Sequence, residues 1–212
     1  MCLLALSSLH RAKLGKKTMP TLRKPTASVI GRFLARQRDM DLSYDDVGCT
    51  RGCVPNSYTV DRYRVRLGQG PRAFAAACDA LRSWQMFRVG WVQINPDPPQ
   101  VAEGEPVAVL IRACGLWWLN AAKIVYVDDR ESSPRQFAFA YGTLEQHAER
   151  GEERFCVNWT DDDSVWYELT AISQPGHWYT RLGLPLVRWL QRRFAADSQH
   201  AMLTAVQNDG FK

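Results

Sequence analysis

A chain of 212 residues with 46% hydrophobic side chains fits one domain with a real core, and its six scattered cysteines are too few for a disulfide scaffold. The formal charge of +5 is confined to the start: residues 1–38 hold nine Lys/Arg and no acid, which leaves 18 basic against 22 acidic residues from Asp39 onward. A body of about −4 removes the electrostatic basis for nucleic-acid binding by the folded part.

The first 26 residues form a basic leader whose short apolar run precedes its charges, the reverse of a secretory signal. It reads as a disordered tail, with a targeting segment or a membrane-surface contact as alternatives, and residues 27–212 as a single domain. No later run reaches the ~18 consecutive apolar residues a membrane span needs. Cys2, Cys49, Cys53, Cys78, Cys114 and Cys156 fit reduced thiols in a cytoplasm. Cys49 and Cys53 are separated by three residues with no second ligand pair following, so they read as a turn and no metal is expected.

From Thr26 to Asp39 the placing of Val29, Ile30, Phe33 and Leu34 predicts a helix, followed by a loop rich in Asp, Gly and Cys as far as Pro55. Tyr58 to Leu67 alternates Tyr63, Val65 and Leu67 with Arg62, Arg64 and Arg66, the pattern of a half-buried strand. Phe74, Ala77, Cys78, Leu81 and Trp84 then recur at helical steps over Arg72 to Trp84. Strands are predicted at Phe87 to Ile94, Val107 to Arg112, Leu116 to Val127, Arg135 to Leu144, Glu153 to Trp159 and Val165 to Ser173. Their short links imply antiparallel neighbours. A last helix opens near Pro185, which suits a first turn, and runs to about Val206 with Leu186, Leu190, Phe194, Ala201, Met202 and Ala205 in one stripe. One early helix, a run of strands and a long final helix predict an α+β layer architecture with the helices on one face of an antiparallel sheet.

Chemistry concentrates around Phe137 to Phe155. Phe137, Phe139 and Tyr141 alternate with Ala138, Ala140 and Gly142, so one face is bulky and the other admits a close neighbour. Glu153 shares a face with Phe155, Val157 and Trp159, whereas Glu152 goes with Arg154 and Cys156. His147 and Glu153 are the candidate acid and base, since an imidazole beside a carboxylate works near neutral pH. The bland alternative is a solvated hairpin loop. A buried Glu153 needs a partner, for which Arg112 and Arg154 are candidates, although Arg154 points to the other face. Arg112, Trp117, Trp118, Tyr126, Tyr141 and Trp166 are the candidate ligand contacts, because eight tryptophans exceed what packing alone demands and broad rings suit a flat or acyl ligand. Nucleophile elbows, phosphate loops, dinucleotide fingerprints and zinc-protease motifs do not occur, so no cofactor is expected.

Several separated motifs carry a resemblance. They are Val47-Gly48-Cys49-Thr50-Arg51, Leu67-Gly68 with Gly70, Trp84 with Phe87, Gly90-Trp91, Asn120 with Lys123 to Val127, Tyr141-Gly142-Thr143-Leu144 with His147, and Gly151 to Phe155. Val165 to Glu168, Ser173 with Pro175, Arg181-Leu182-Gly183 with Pro185, and Gln191 with Arg193-Phe194 complete the set. In these the chain resembles uncharacterised protein family 0548, also called domain-of-unknown-function nineteen-ninety, over roughly residues 33 to 206. That family is similar to the START-related, polyketide-cyclase-like helix-grip superfamily. The resemblance implies about seven antiparallel strands curved around a long C-terminal helix, with an apolar cavity between them.

Three functions are compatible with this reading. The first is a cytoplasmic carrier of a small apolar or aromatic molecule or lipid, anchored by Tyr141, His147, Glu153 and Arg112. The second is a cofactor-free enzyme (cyclase, dehydratase or hydrolase type) using His147 and Glu153. The third is a ligandless protein-interaction module.

Overall fold

The computed structural model describes residues 20–132, 134–145, 150–174 and 178–209, the side chains of 178–185 and of 209 aside. Helix α1 spans Ala27–Gln37 and opens on Thr26, whose hydroxyl accepts from the Val29 amide as an N-cap. A loop with one 3-10 turn at Cys49–Arg51 leads to β1 (Thr59–Gln69) and α2 (Gly70–Arg82). Then follow β2 (Val92–Asn95), β3 (Pro106–Ala113), β4 (Leu116–Arg130), β5 (Arg135–Thr143), β6 (Arg150–Trp159), β7 (Ser164–Gln174) and α3 (Trp178–Asp209). The seven strands form one sheet in the order β1-β7-β6-β5-β4-β3-β2, antiparallel throughout. A curved antiparallel sheet against a long C-terminal helix is the helix-grip arrangement that the resemblance implied.

Alternation along the strands divides the side chains between two faces. Inward, toward α2 and α3, go Val107, Val109, Ala122, Ile124, Phe137, Phe139, Tyr141, Phe155, Val157, Val165, Tyr167 and Leu169, which form the main core with Leu81, Trp84, Phe87, Phe194 and Met202. In β4 one extra residue, between Ile124 and Tyr126, bulges the strand; Ile124 pairs with Tyr141 and Tyr126 with Ala140. The bulge turns Tyr126 and Asp128 outward and Val127 inward.

The outward face has its own cover, which corrects the expectation that all helices share one face. Ile30, Phe33 and Leu34 of α1 pack on Ala108, Leu110 and Leu119, the outward residues of β3 and β4. The stripe was legible, but its partner is the opposite face from the one α2 and α3 occupy. Residues 1–19 of the leader lie outside the described residues; at its end Thr21 bridges Trp117, each backbone donating to the other (2.9 and 2.8 Å). Helix α3 also begins earlier than Pro185, which stands in the third turn of a helix ~48 Å long at ~1.5 Å per residue. The strand expected over Phe87 to Ile94 is a 3-10 turn at Gln85–Phe87 followed by the short β2.

Beyond α1, residues 42–51 lie on the small-residue side of β5. Leu42 bridges Leu144, and Tyr44 rests directly on Gly142. A Cβ at Gly142 would overlap the Tyr44 hydroxyl and meet Tyr44 Cε1 at 2.8 Å and Leu42 Cδ2 at 2.9 Å. Gly142→Ala is therefore expected to displace this segment and lower stability by about 2–3 kcal/mol, read as a lower urea midpoint with an unchanged slope. A second expectation concerns alkaline stability. Burial raises the Cys78 and Cys156 thiols and the Tyr126 phenol, each to about 12, from ordinary values of 9.0 and 10.0. Groups raised in the folded state contribute stability that is complete below their unfolded values and is lost as pH climbs through the folded ones. Unfolding midpoints should thus fall between about pH 9 and 12, and the buried phenol should ionise late in a tyrosinate absorbance titration.

Candidate functional site

Two adjacent glutamates on β6 are sent to opposite faces by the strand period, and a polar site forms around each. Glu153 points inward. It is the register partner of Tyr141 on β5, and the Tyr141 hydroxyl donates to its carboxylate in a part-buried setting. The Tyr141 ring lies 5.5 Å from Phe155 and 6.3 Å from Phe87, centroid to centroid. Across the same face Tyr63 is held above its ordinary value by burial and then by Asp61. Asp61 is ion-paired with Arg188 of α3.

Helix α3 is riveted over this face at three further points. Tyr167 hydrogen-bonds Ser198 (2.7 Å), the Trp91 indole donates to Asp197 (2.7 Å), and Phe194 meets Phe87 at 5.1 Å. Deeper in, rings occupy the space between sheet and helices. Trp84 packs on Phe139 at 4.7 Å and on Phe87 at 5.5 Å, and Phe155 on Phe87 at 5.8 Å. Polar groups inside this stack are satisfied; the Trp84 indole donates to the Pro99 carbonyl (3.0 Å).

Glu152 points outward, yet it is the more buried of the two, at 2% exposure. Four donors meet its carboxylate: the Tyr44 hydroxyl (2.6 Å), the amides of Gly48 (2.7 Å) and Thr50 (3.1 Å), and the Thr50 hydroxyl. Gly48 takes a left-handed conformation (φ 82°) that suits glycine and starts the turn whose amides face the carboxylate. Because the single Thr50 hydroxyl proton goes to Glu152, Tyr126 must donate to Thr50 Oγ1 (2.6 Å). Burial, followed by the adjacent Glu152 charge and hydrogen bond, pushes the Tyr44 phenol far above its ordinary range. Every lone pair of Glu152 thus has a use, so it anchors the 44–50 segment and is not set up as a base.

Next to this anchor an open cleft of about 700 Å³ is lined by Arg51, Asp128, Asp129, Arg130, Gln136 and Arg154. Arg51 clasps Asp128 through Nε and Nη2 (3.1 and 2.7 Å) and stacks on the Tyr126 ring at 3.9 Å. A second cleft of about 360 Å³ lies beside α2, around Phe74, Cys78 and Arg82.

Of the residues singled out from sequence, Tyr141 and Glu153 come together, and Trp118 shares their face but is 37% exposed at the β3–β4 end. His147 lies outside the described residues. Arg112, Trp117, Tyr126 and Trp166 all turn outward, away from the space between sheet and α3. Arg112 lies over the Trp117 ring at 5.9 Å, which also receives Lys24 at 5.6 Å. Trp166 is covered by Arg64 at 3.9 Å, and Tyr126 belongs to the Glu152 network. Arg112 therefore does not pair with Glu153: the two stand on opposite faces, three strands apart. Sequence reasoning missed Tyr44, Thr50 and Glu152 as a unit. The available signals were Gly48 within the Val47 to Arg51 motif and the parity that puts Glu152 opposite Glu153. Among the described residues no group of His, Cys, Asp and Glu is gathered as metal ligands, and no helix is long and apolar enough to cross a membrane.

Similar proteins are known at the level of fold and of family. The chain is similar over its fold to TTHA0849 from Thermus thermophilus, with a TM-score of 0.50 at 12% identity, covering 71% of this chain and 98% of the other. Human STARD10 gives a TM-score of 0.47 at 10% identity, covering 87% and 81%. A UPF0548 protein of Dictyostelium discoideum is 32% identical over 203 residues, 87% of this chain and 94% of the relative. Another from Deinococcus radiodurans is 35% identical over 197 residues, 87% and 97% respectively. The model of the family described as Domain of unknown function (DUF1990) matches residues 43–201, a span that includes the Glu152 anchor, the Tyr141–Glu153 pair and most of α3. By family model and by relatives alike, the chain belongs to the UPF0548 (DUF1990) family, on a helix-grip fold.

Proposed function

We propose that the protein binds a small molecule with an apolar or aromatic body and one polar group, at the inward-facing Tyr141–Glu153 pair between the sheet and α3. The observation that carries this reading is the pair itself: a phenol and a carboxylate opposite one another on neighbouring strands, part-buried against aromatic rings. A carboxylate in such surroundings favours a hydrogen-bond donor, and the rings favour a flat or acyl body. The aromatic stack of Trp84, Phe87, Phe139 and Phe155 fills the deeper interior, so the ligand is limited to the Tyr141–Glu153 end.

The same stack favours a second reading, in which the core is complete without a ligand and the fold serves as a protein-interaction module. Native mass spectrometry of protein purified from its own host separates the two. The expected result is an adduct of constant mass, and an affinity about tenfold or more weaker in Tyr141→Phe and Glu153→Gln at unchanged stability. Bare protein under gentle conditions would leave the second reading. A bound mass that differs between wild type and Glu153→Gln would instead indicate turnover at this pair.

A further inference from the structure

The cleft on the outward face lies across the sheet from the Tyr141–Glu153 pair and is independent of it. Its charges do not cancel. Arg51 is engaged bidentately by Asp128, and Asp129 is engaged by Arg82 (3.0 Å). Arg130 and Arg154 remain, and among the described residues neither has a carboxylate within ion-pair distance. Arg154 is the more telling of the two. It rises from the middle of β6 between the buried Glu152 and Cys156, and its Nε is buried with no hydrogen-bond partner among the described residues. A buried guanidinium N–H without an acceptor is costly, and a native structure seldom tolerates one without a use.

We infer that this cleft is a binding site for a phosphate monoester of a small hydroxyl-bearing molecule. Two guanidiniums outside any ion pair among the described residues answer the charge of roughly −1.5 to −2 that a phosphate monoester carries near neutral pH. A planar guanidinium presents paired donors to phosphate oxygens in a fixed fork. The remaining lining includes Gln136 and Asp128, an amide and a carboxylate suited to hydroxyl groups, whereas the Asp129 carboxylate turns to Arg82 on the other side of the sheet; about 700 Å³ is far more than a lone oxyanion fills. Arg51, held by Asp128 and the Tyr126 ring, forms one wall.

The phosphate can belong to a soluble metabolite or to a lipid headgroup, and the two sources are separable. Isothermal titration of the full chain with glycerol 1-phosphate and with inorganic phosphate, at matched ionic strength in chloride, tests the first. Sedimentation with phosphatidylcholine vesicles, with and without phosphatidic acid, tests the second. The expected result is saturable binding in one arm, weakened about tenfold or more by Arg154→Gln and by the exposed Arg130→Gln, and unchanged by Arg112→Gln at the far end of the same face. Arg130→Gln keeps the test valid should Arg154→Gln impair folding. Binding in neither arm, binding insensitive to Arg130→Gln, or binding reproduced by chloride at equal ionic strength overturns the inference.

Discussion

A carboxylate removed from water has to be met donor for donor, and the Glu152 carboxylate is met entirely by a segment about a hundred residues earlier in the chain. That requirement gives the outward face its second layer. To deliver the Gly48 and Thr50 amides, the loop must turn tightly at Gly48. To deliver the Tyr44 hydroxyl, the ring must come close against β5, where Gly142 leaves room. Once Thr50 is placed, Tyr126 is bound through it, and Arg51 falls onto the Tyr126 ring and within reach of Asp128. The wall of the outward cleft is thus a by-product of how one buried charge is satisfied.

Strand β5 serves both layers because its two faces differ so much in bulk. Its rings supply the inward core, while Ala138, Ala140 and Gly142, all buried, let the loop and the side chains of neighbouring strands close over the other side. The two polar sites therefore sit on opposite sides of a single sheet, one reading an apolar interior and the other facing solvent. Helix α3 governs only the first, through Arg188, Phe194, Asp197 and Ser198. Among the described residues none of α3 lines the outward cleft, so the strands are what the two sides share.

The inward half of this arrangement was legible in the sequence. The alternation of Phe137, Phe139 and Tyr141 and the facing of Phe155 and Val157 follow from the two-residue period, and so does the inward direction of Glu153. The outward half was less so. An apolar stripe at Ile30, Phe33 and Leu34 announces a helix with a buried side but does not say which face of a sheet receives it. The partners of Glu152 come from a loop, where no period exists to reveal direction, and the pairing of β1 with β7 joins residues about a hundred positions apart. Trp117 and Trp118 face opposite sides as the period requires, but the leader end at Thr21 and Lys24 takes up Trp117, a use that composition alone could not assign.

The extra residue in β4 has its own bearing on how the chain can vary in length. Before it, Trp117, Leu119, Ala121 and Lys123 face outward; after it, Tyr126, Asp128 and Arg130 do, so the parity changes at Val125. A deletion at that point removes only the bulge and leaves every other side chain on its present face. A deletion elsewhere in β4 would exchange the faces of the residues on one side of it, turning arginine and aspartate toward the aromatic interior. When relatives of unequal length are aligned across this strand, the gap belongs at Val125.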